Sequence, residues 1–261
     1  MTNRTALDIA HAAMMAKDSP TTRMRFHERL ADSELFLLLA REPSGENLDP
    51  VLIETETGPY VIAFDRQERL AEFTGATAPY AALSGRVLVA MLKQQQIGIA
   101  LNPEVAPSAW LIPPNAIDWL AETLSVEPGE TSARAESFSA PAGLPASLLS
   151  GLDAKLASAA GLAKSAWLAG VRYKDGQQGH ILVFVDARPG AEAALAKAVN
   201  EAVAFSGMDG GKFDVAFFHA SDPLIAALSR VGLRFDLPQP EAGAIKPVRP
   251  GSDPEKPPNL R

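Results

Sequence analysis

Four histidines, His11, His27, His180 and His219, are the side chains of this 261-residue chain best suited to proton transfer or metal binding near neutral pH. His180 opens one predicted strand and His219 closes another. If those strands are neighbours, the two imidazoles can approach each other, and Asp186 or Asp222 could join them on a metal. No HExxH spacing and no tight His/carboxylate cluster accompanies them. The reading is therefore four separate histidines, with no metal site. A serine nucleophile would want the sharp strand–turn–helix elbow of a GxSxG motif, and none is present. Ser84, before Gly85, reads as a helix N-cap. The glycine-rich run SGMDGGKF (206–213) contains a lysine, but it follows a helix and precedes a strand. That is the reverse of a phosphate-binding loop, so it reads as a helix C-cap and turn. Glu54 and Glu56 share one face of a strand, which suits a solvated surface better than acid/base work in a cleft. Arg23, Arg25 and Arg29 lie among Glu28 and Asp32 on one helix, an ordinary charged helix surface. No catalytic residue and no cofactor is assigned.

Composition narrows the classes further. The chain has no cysteine, which excludes disulfides, thiolate nucleophiles and cysteine-based metal or Fe–S sites. Its net charge of -7 disfavours nucleic acid and anionic membrane surfaces as partners. Asp8 and His11 interrupt the apolar N-terminal stretch, so no secretory signal is expected, and no apolar run is long enough to span a bilayer. The expected location is the cytoplasm. Hydrophobic residues at 47% and charged residues at 21% are those of an ordinary globular protein.

The elements that would position any site can be read from periodicity. Residues 1–33 predict a helical N-terminal extension, with Ala6, Ile9, Ala10, Ala13 and Met14 at helical spacing and Pro20 opening a second helix. Residues 34–125 predict a mixed α/β domain. ELFLLLA (34–40), PVLIET (50–55) and YVIAF (60–64) read as strands, the last two as a hairpin turned at Gly58-Pro59. A short helix follows at 65–73 with Asp65 as its cap, then a helix from Ser84, the strand IGIAL, a short strand AWLI (109–112) and a helix from Pro113-Pro114. Residues 126–236 predict a second α+β domain, after a stretch rich in Ser, Pro, Gly and Glu. Its order is an edge strand near 133–139, a helix at 145–158, strands at 165–173 and 180–187, a helix at 191–205, a strand at 213–220, a short helix from Asp222-Pro223 and a closing strand GLRF. Residues 237–261 contain seven prolines and predict a disordered tail. The fold class is α+β, two domains with small antiparallel or mixed sheets.

One stretch, QIGIALNP (96–103), raises a sharper question. Gly98 would let a neighbouring side chain or backbone come close to its strand. Asn102 before Pro103 favours a turn and can hold it with its side chain. The leaning is towards a core strand with a structural stop. Binding residues do collect in loops at strand ends, however, so a role for Asn102 stays open.

In combination these motifs resemble the SseB family, whose name comes from a phenotype of enhanced serine sensitivity. The carriers in the first half are YVIAFDRQERLAEF, then Tyr80, Leu83 and Gly85 opening a helix, then GIALNP and a Pro-Pro helix. In the second half they are LPASLLSGL, AWLAGV, HILVFVDA and GLRF. The resemblance spans roughly 34–236. Relatives commonly carry Thr-Ser where this chain has Asp65-Arg66, and Asn-Pro-Gly where it has Asn102-Pro103-Glu104. The resemblance implies a two-domain bacterial cytosolic protein and supplies no catalytic residues, cofactor or substrate.

Three functions follow as expectations. The first is a non-catalytic binding or regulatory protein with a protein partner, linked to serine or amino-acid physiology. The N-terminal helices or the proline-rich tail would make contact, and self-association stays open. The second is a metabolite sensor with a pocket between the two domains, lined by Tyr60, Tyr80, Asn102 and Trp110. The third is an enzyme using His180 and His219.

Overall fold

The computed structural model describes residues 4–43, 48–127, 129, 135–208 and 212–239. Its elements in order are α1 Ala6–Ala16, α2 Pro20–Asp32, β1 Glu34–Leu38, β2 Leu52–Thr55, β3 Gly58–Phe64, α3 Gln67–Thr74, β4 Tyr80–Ser84, α4 Gly85–Leu92, β5 Gly98–Leu101, β6 Trp110–Ile112, α5 Pro114–Ser125, β7 Ala135–Ser139, α6 Ala146–Ala157, β8 Ser165–Tyr173, β9 Gln178–Val185, α7 Glu192–Ala204, β10 Phe213–Phe218, α8 Pro223–Leu228 and β11 Leu233–Asp236. They form an α+β protein of two units. The first takes its residues from 1–132, 143–152 and 196–211, the second from 133–142, 153–195 and 212–261.

In the first unit, alternation along the strands sorts side chains to two faces of one sheet, ordered β4-β1-β3-β5-β6 with β2 also on β3. Leu35, Leu37, Leu39, Val61, Ala63, Ile99 and Leu101 point to one face. There they meet Leu7, Phe26, Leu30, Leu88, Ile117 and Leu120 from α1, α2, α4 and α5. Leu38, Ile62 and Phe64 point to the other face, under Leu70 and Phe73 of α3. β3 and β5 run parallel, with Tyr60 opposite Gly98 and Ala63 opposite Leu101. All other pairs in this sheet are antiparallel. Arg86 of α4 bonds Glu201 at 2.9 Å and Asp32 at 2.7 Å, so α2, α4 and the 196–211 segment share one guanidinium. Those two carboxylates raise its pKa against the effect of burial.

The second unit is built on the order β10-β9-β8-β11, with β7 also pairing β8. β11 lies along Ser165–Leu168 of β8 and β7 along Gly170–Tyr173, on the same side. β8 and β9 are antiparallel, and Asp175-Gly176 turns between them as the sequence predicts. β9 and β10 are parallel, so the sheet is mixed.

The structure departs from the sequence reading in several places. Residues 1–33 are no separate extension, because α1 and α2 supply Leu7, Ala10, Met14, Phe26, Leu30 and Ala31 to the first unit's core. Residues 80–84 form a strand, β4, which fills the edge beside β1. Asp65 does not cap α3. The N-cap is Arg66, which makes no side-chain cap bond, and Asp65 is engaged elsewhere. The first unit takes 143–152 and 196–211 from beyond the predicted boundary at 125/126. Order continues past 236: Leu237 is buried, the Pro238 carbonyl accepts from Gly161 N–H, and Gln239 donates to the Ala163 carbonyl. The predicted disorder of 240–261 and the centre of the glycine-rich run, 209–211, lie outside the described residues.

Candidate functional site

The carboxyl ends of parallel strands are where α/β sheets commonly hold ligands. In the first unit that position, after Phe64 and Leu101, is filled by the chain's own side chains. Thr5 and Asp8 close a capping box at the start of α1, with Thr5 N–H on Asp8 Oδ2 at 2.9 Å and Asp8 N–H on Thr5 Oγ1 at 3.1 Å. The same Asp8 carboxylate accepts a forked pair from Arg69, Nη1 to Oδ1 at 3.1 Å and Nη2 to Oδ2 at 2.5 Å. Arg69 also donates to Asp65 Oδ1 at 2.7 Å, and Thr5 Oγ1 donates to Asp65 Oδ2 at 2.5 Å. Ser108 Oγ donates to Asp8 Oδ1 at 2.6 Å and accepts from Asn102 Nδ2 at 2.9 Å. Asn102 Oδ1 accepts from Asp65 N–H at 3.1 Å, which closes the circuit.

Asp8 is 1% exposed and Asn102 and Ser108 are 0% exposed, so the bonds among Asp8, Arg69, Asn102 and Ser108 are worth more than their surface equivalents. Burial alone would raise the Asp8 pKa. The bonds from Arg69, Ser108 and Thr5 overrule it and hold the carboxyl at about 2. Arg69 is shifted up by Asp8 and Asp65, again against burial. Both Asp8 oxygens are occupied and the group stays ionised, so its chemistry is that of a lock between α1, α3 and the loop after β5. Asn102 has φ 47°, a left-handed conformation that asparagine tolerates and that its two side-chain bonds hold in place.

Next to this lock the sheet opens outward. β6 is an edge strand, and Ala100, Leu101, Pro103, Ala109, Trp110 and Leu111 line an apolar groove of about 400 Å³. Trp110 is 40% exposed and Leu111 47%. Beneath Trp110 lies His11 of α1, with the ring centres 5.4 Å apart, and beyond it Phe26 at 5.9 Å. His11 is buried. Desolvation lowers its pKa, opposed by the Asp8 charge and the Pro107 carbonyl.

The four residues singled out from the sequence all fall in the first unit, and Trp110 alone of them lines the groove. Tyr60 is buried across Gly98, its hydroxyl paired with Thr57 Oγ1 at 2.8 Å. Tyr80 packs edge-on against Phe36 on the α3 face. Asn102 is committed to the lock. Gly98 performs the close approach expected of it: an added Cβ would stand 2.4 Å from the Tyr60 ring. The second-unit histidines are not brought together. β9 and β10 are neighbours, but they run parallel and pair Phe213 with His180 and Phe218 with Val185. His219 therefore lies at the far end, some 20 Å along the strands from His180. His180 faces the Ala142 carbonyl at 3.0 Å and Phe213, while His219 is exposed beside Asp186 at 3.7 Å. Among the described residues no group of three or more His, Asp or Glu is placed to hold a metal ion.

Asp8, Arg69, Ser108 and His11 escape a reading based on apolar periodicity. The one local pointer is Thr5-x-x-Asp8, a capping-box spacing at a helix start. Nothing local marks the long-range partners. No helix among the described residues is long and apolar enough to cross a membrane.

No curated protein and no solved structure matches the chain. Residues 7–119 match the family model described as the SseB protein N-terminal domain. That span begins inside α1 rather than at 34, in keeping with the place of α1 and α2 in the core. It also contains Asp8, Arg69, Asn102, Ser108 and the groove. Over residues 7–119 the chain is thus similar to the N-terminal domain of the SseB family.

Proposed function

We propose that the chain is a non-catalytic binding protein whose first unit takes an extended apolar peptide segment of a protein partner along β6. The observation that carries this is the apolar groove beside an edge strand, with Trp110 and Leu111 half open to solvent. An edge strand offers backbone donors and acceptors to an added strand, and apolar pockets beside it select the side chains. Aromatic anchors such as Trp110 carry a large share of the energy in such contacts. The saturated lock behind the groove supports the same reading, because it makes the loop between β5 and β6 a rigid frame. The setting we assign is the cytoplasm and the serine-related physiology after which the family is named.

The test is selection of short random peptides on the full chain and on Leu111→Asp. Apolar peptides that enrich on the parent and bind the variant at least tenfold more weakly would support the reading. Equal binding to both, or no enrichment, would overturn it. A parallel capture with a version ending at Gln239 separates a contact on the folded units from one on the residues beyond.

A further inference from the structure

α1 reaches the groove's frame twice. Asp8 and His11 lie one turn apart on its buried face and touch Ser108 and Trp110, two positions apart. The two contacts differ in kind. The Asp8 contact is a saturated, charge-assisted set of bonds. The His11 contact is a ring packed on a ring, and its Nε2 is buried with no hydrogen-bond partner among the described residues.

Protonation makes both imidazole nitrogens donors, and Nε2 then has no acceptor to meet. A buried donor without a partner, on a charged ring, is costly unless water can reach it. The neighbour that can give way is Trp110, which is already 40% exposed. Phe26, on the other side, is part of the core.

We propose that protonation of His11 lifts Trp110 off α1 and reshapes the wall of the groove, while the Asp8–Arg69 lock stays closed. The groups that face His11 are few. α1 presents Asp8, itself tied to Arg69 of α3. α2 presents Phe26, the preceding loop presents the Pro107 carbonyl, and β6 presents Trp110. Asp8 and the carbonyl favour the charged ring, and burial outweighs them, so the transition lies on the acid side of the ordinary histidine value of 6.5. The effect on partner binding rests on the groove reading above. The transition itself does not, and it is measured without any partner.

The experiment is a pH titration of the full chain by NMR, following the His11 ring and the Trp110 indole N–H together. A Trp119→Phe/Trp167→Phe version reports Trp110 alone by fluorescence. The expected result is one midpoint below 6.5 shared by both probes, a red shift of Trp110 emission, unchanged far-UV circular dichroism, and loss of the Trp110 transition in His11→Gln. The proposal is overturned if His11 titrates with no change at Trp110, if the Trp110 transition survives in His11→Gln, or if it coincides with loss of helix. Should a substituted chain fail to fold, the two NMR midpoints in the parent chain decide alone. Failed peptide selection with an intact titration would count against the groove's occupant, and the reverse against this switch.

Discussion

Asp8 and Ser108 stand 100 positions apart in the chain and share a hydrogen bond of 2.6 Å, both fully buried. That bond ties the first turn of α1 to the loop that frames the groove. With Arg69 and Asn102 it makes one polar circuit within the first unit.

The circuit holds two carboxylates on one guanidinium, so removing the cation should be the most damaging single change. Arg69→Ala leaves Asp8 and Asp65 buried and facing each other, and we expect a loss of about 3–5 kcal/mol in urea unfolding. Asp8→Ala with Arg69→Ala should cost less than the sum of the two single changes, since both remove the same pair. Additive losses would show that the two side chains act independently.

Acid should open the same circuit. The Asp8 pKa is 3.8 in a free chain and about 2 when folded, so the folded state favours the ionised form. Its contribution is fully present above the unfolded value and is lost as pH falls through the folded one. Stability measured against pH should therefore decline in the parent between 3.8 and about 2 more steeply than in Asp8→Asn. Parallel curves would remove Asp8 from the acid response.

Gly98 has no room for a methyl group. An alanine Cβ would meet the Tyr60 ring at 2.4 and 2.5 Å and the Ile112 carbonyl at 2.6 Å. Gly98→Ala should cost about 1–3 kcal/mol by forcing Tyr60 off its position and straining β5 against β6. Tyr60→Phe should not rescue it, because the clash is with ring carbons. Thermal unfolding of the three variants checks this.

In the second unit, Tyr173 donates to Asp214 through a short hydrogen bond, with Lys212 Nζ 4.4 Å above its ring. Burial first, and then Asp214, push the phenol pKa well above its ordinary value of 10.0. A raised pKa means that this contribution is complete below the unfolded value and fades as pH climbs through the folded one. Asp214→Asn should bring the Tyr173 titration down, read from its ring signals. An unmoved titration would leave burial and the nearby Asp175 charge as the causes.

Most of the strands were legible because alternation is a local property. β8 follows SAWLAGVRY residue for residue, and the β2–β3 hairpin forms as read, although its turn falls at Glu56-Thr57 with Gly58 already in β3. α1 shows where local reading stops. Its apolar spacing suggested burial of Ile9 and Ala13, yet Ile9 is 60% exposed and the buried face carries Asp8 and His11. A hydrophobic pattern cannot rank a charged residue as core, because the partners that make its burial tolerable lie far away in sequence. The same limit applies to His180 and His219: strand neighbours could be guessed, but not that they run parallel. β4 was missed because Tyr80–Ser84 is short and only its pairing with β1 makes it a strand.

The long reach from Asp8 to Ser108 also sets a timetable for synthesis. α1 has 11 residues, too few to hold a helix alone in water. Its polar anchors, Arg69 and Ser108, are added 61 and 100 positions later. At ordinary rates of chain elongation the second interval is about 5–20 s. For that time α1 can rest only on the apolar partners already made, such as Phe26 and Leu30 of α2, and the buried charge of Asp8 lacks the bonds that make its burial tolerable.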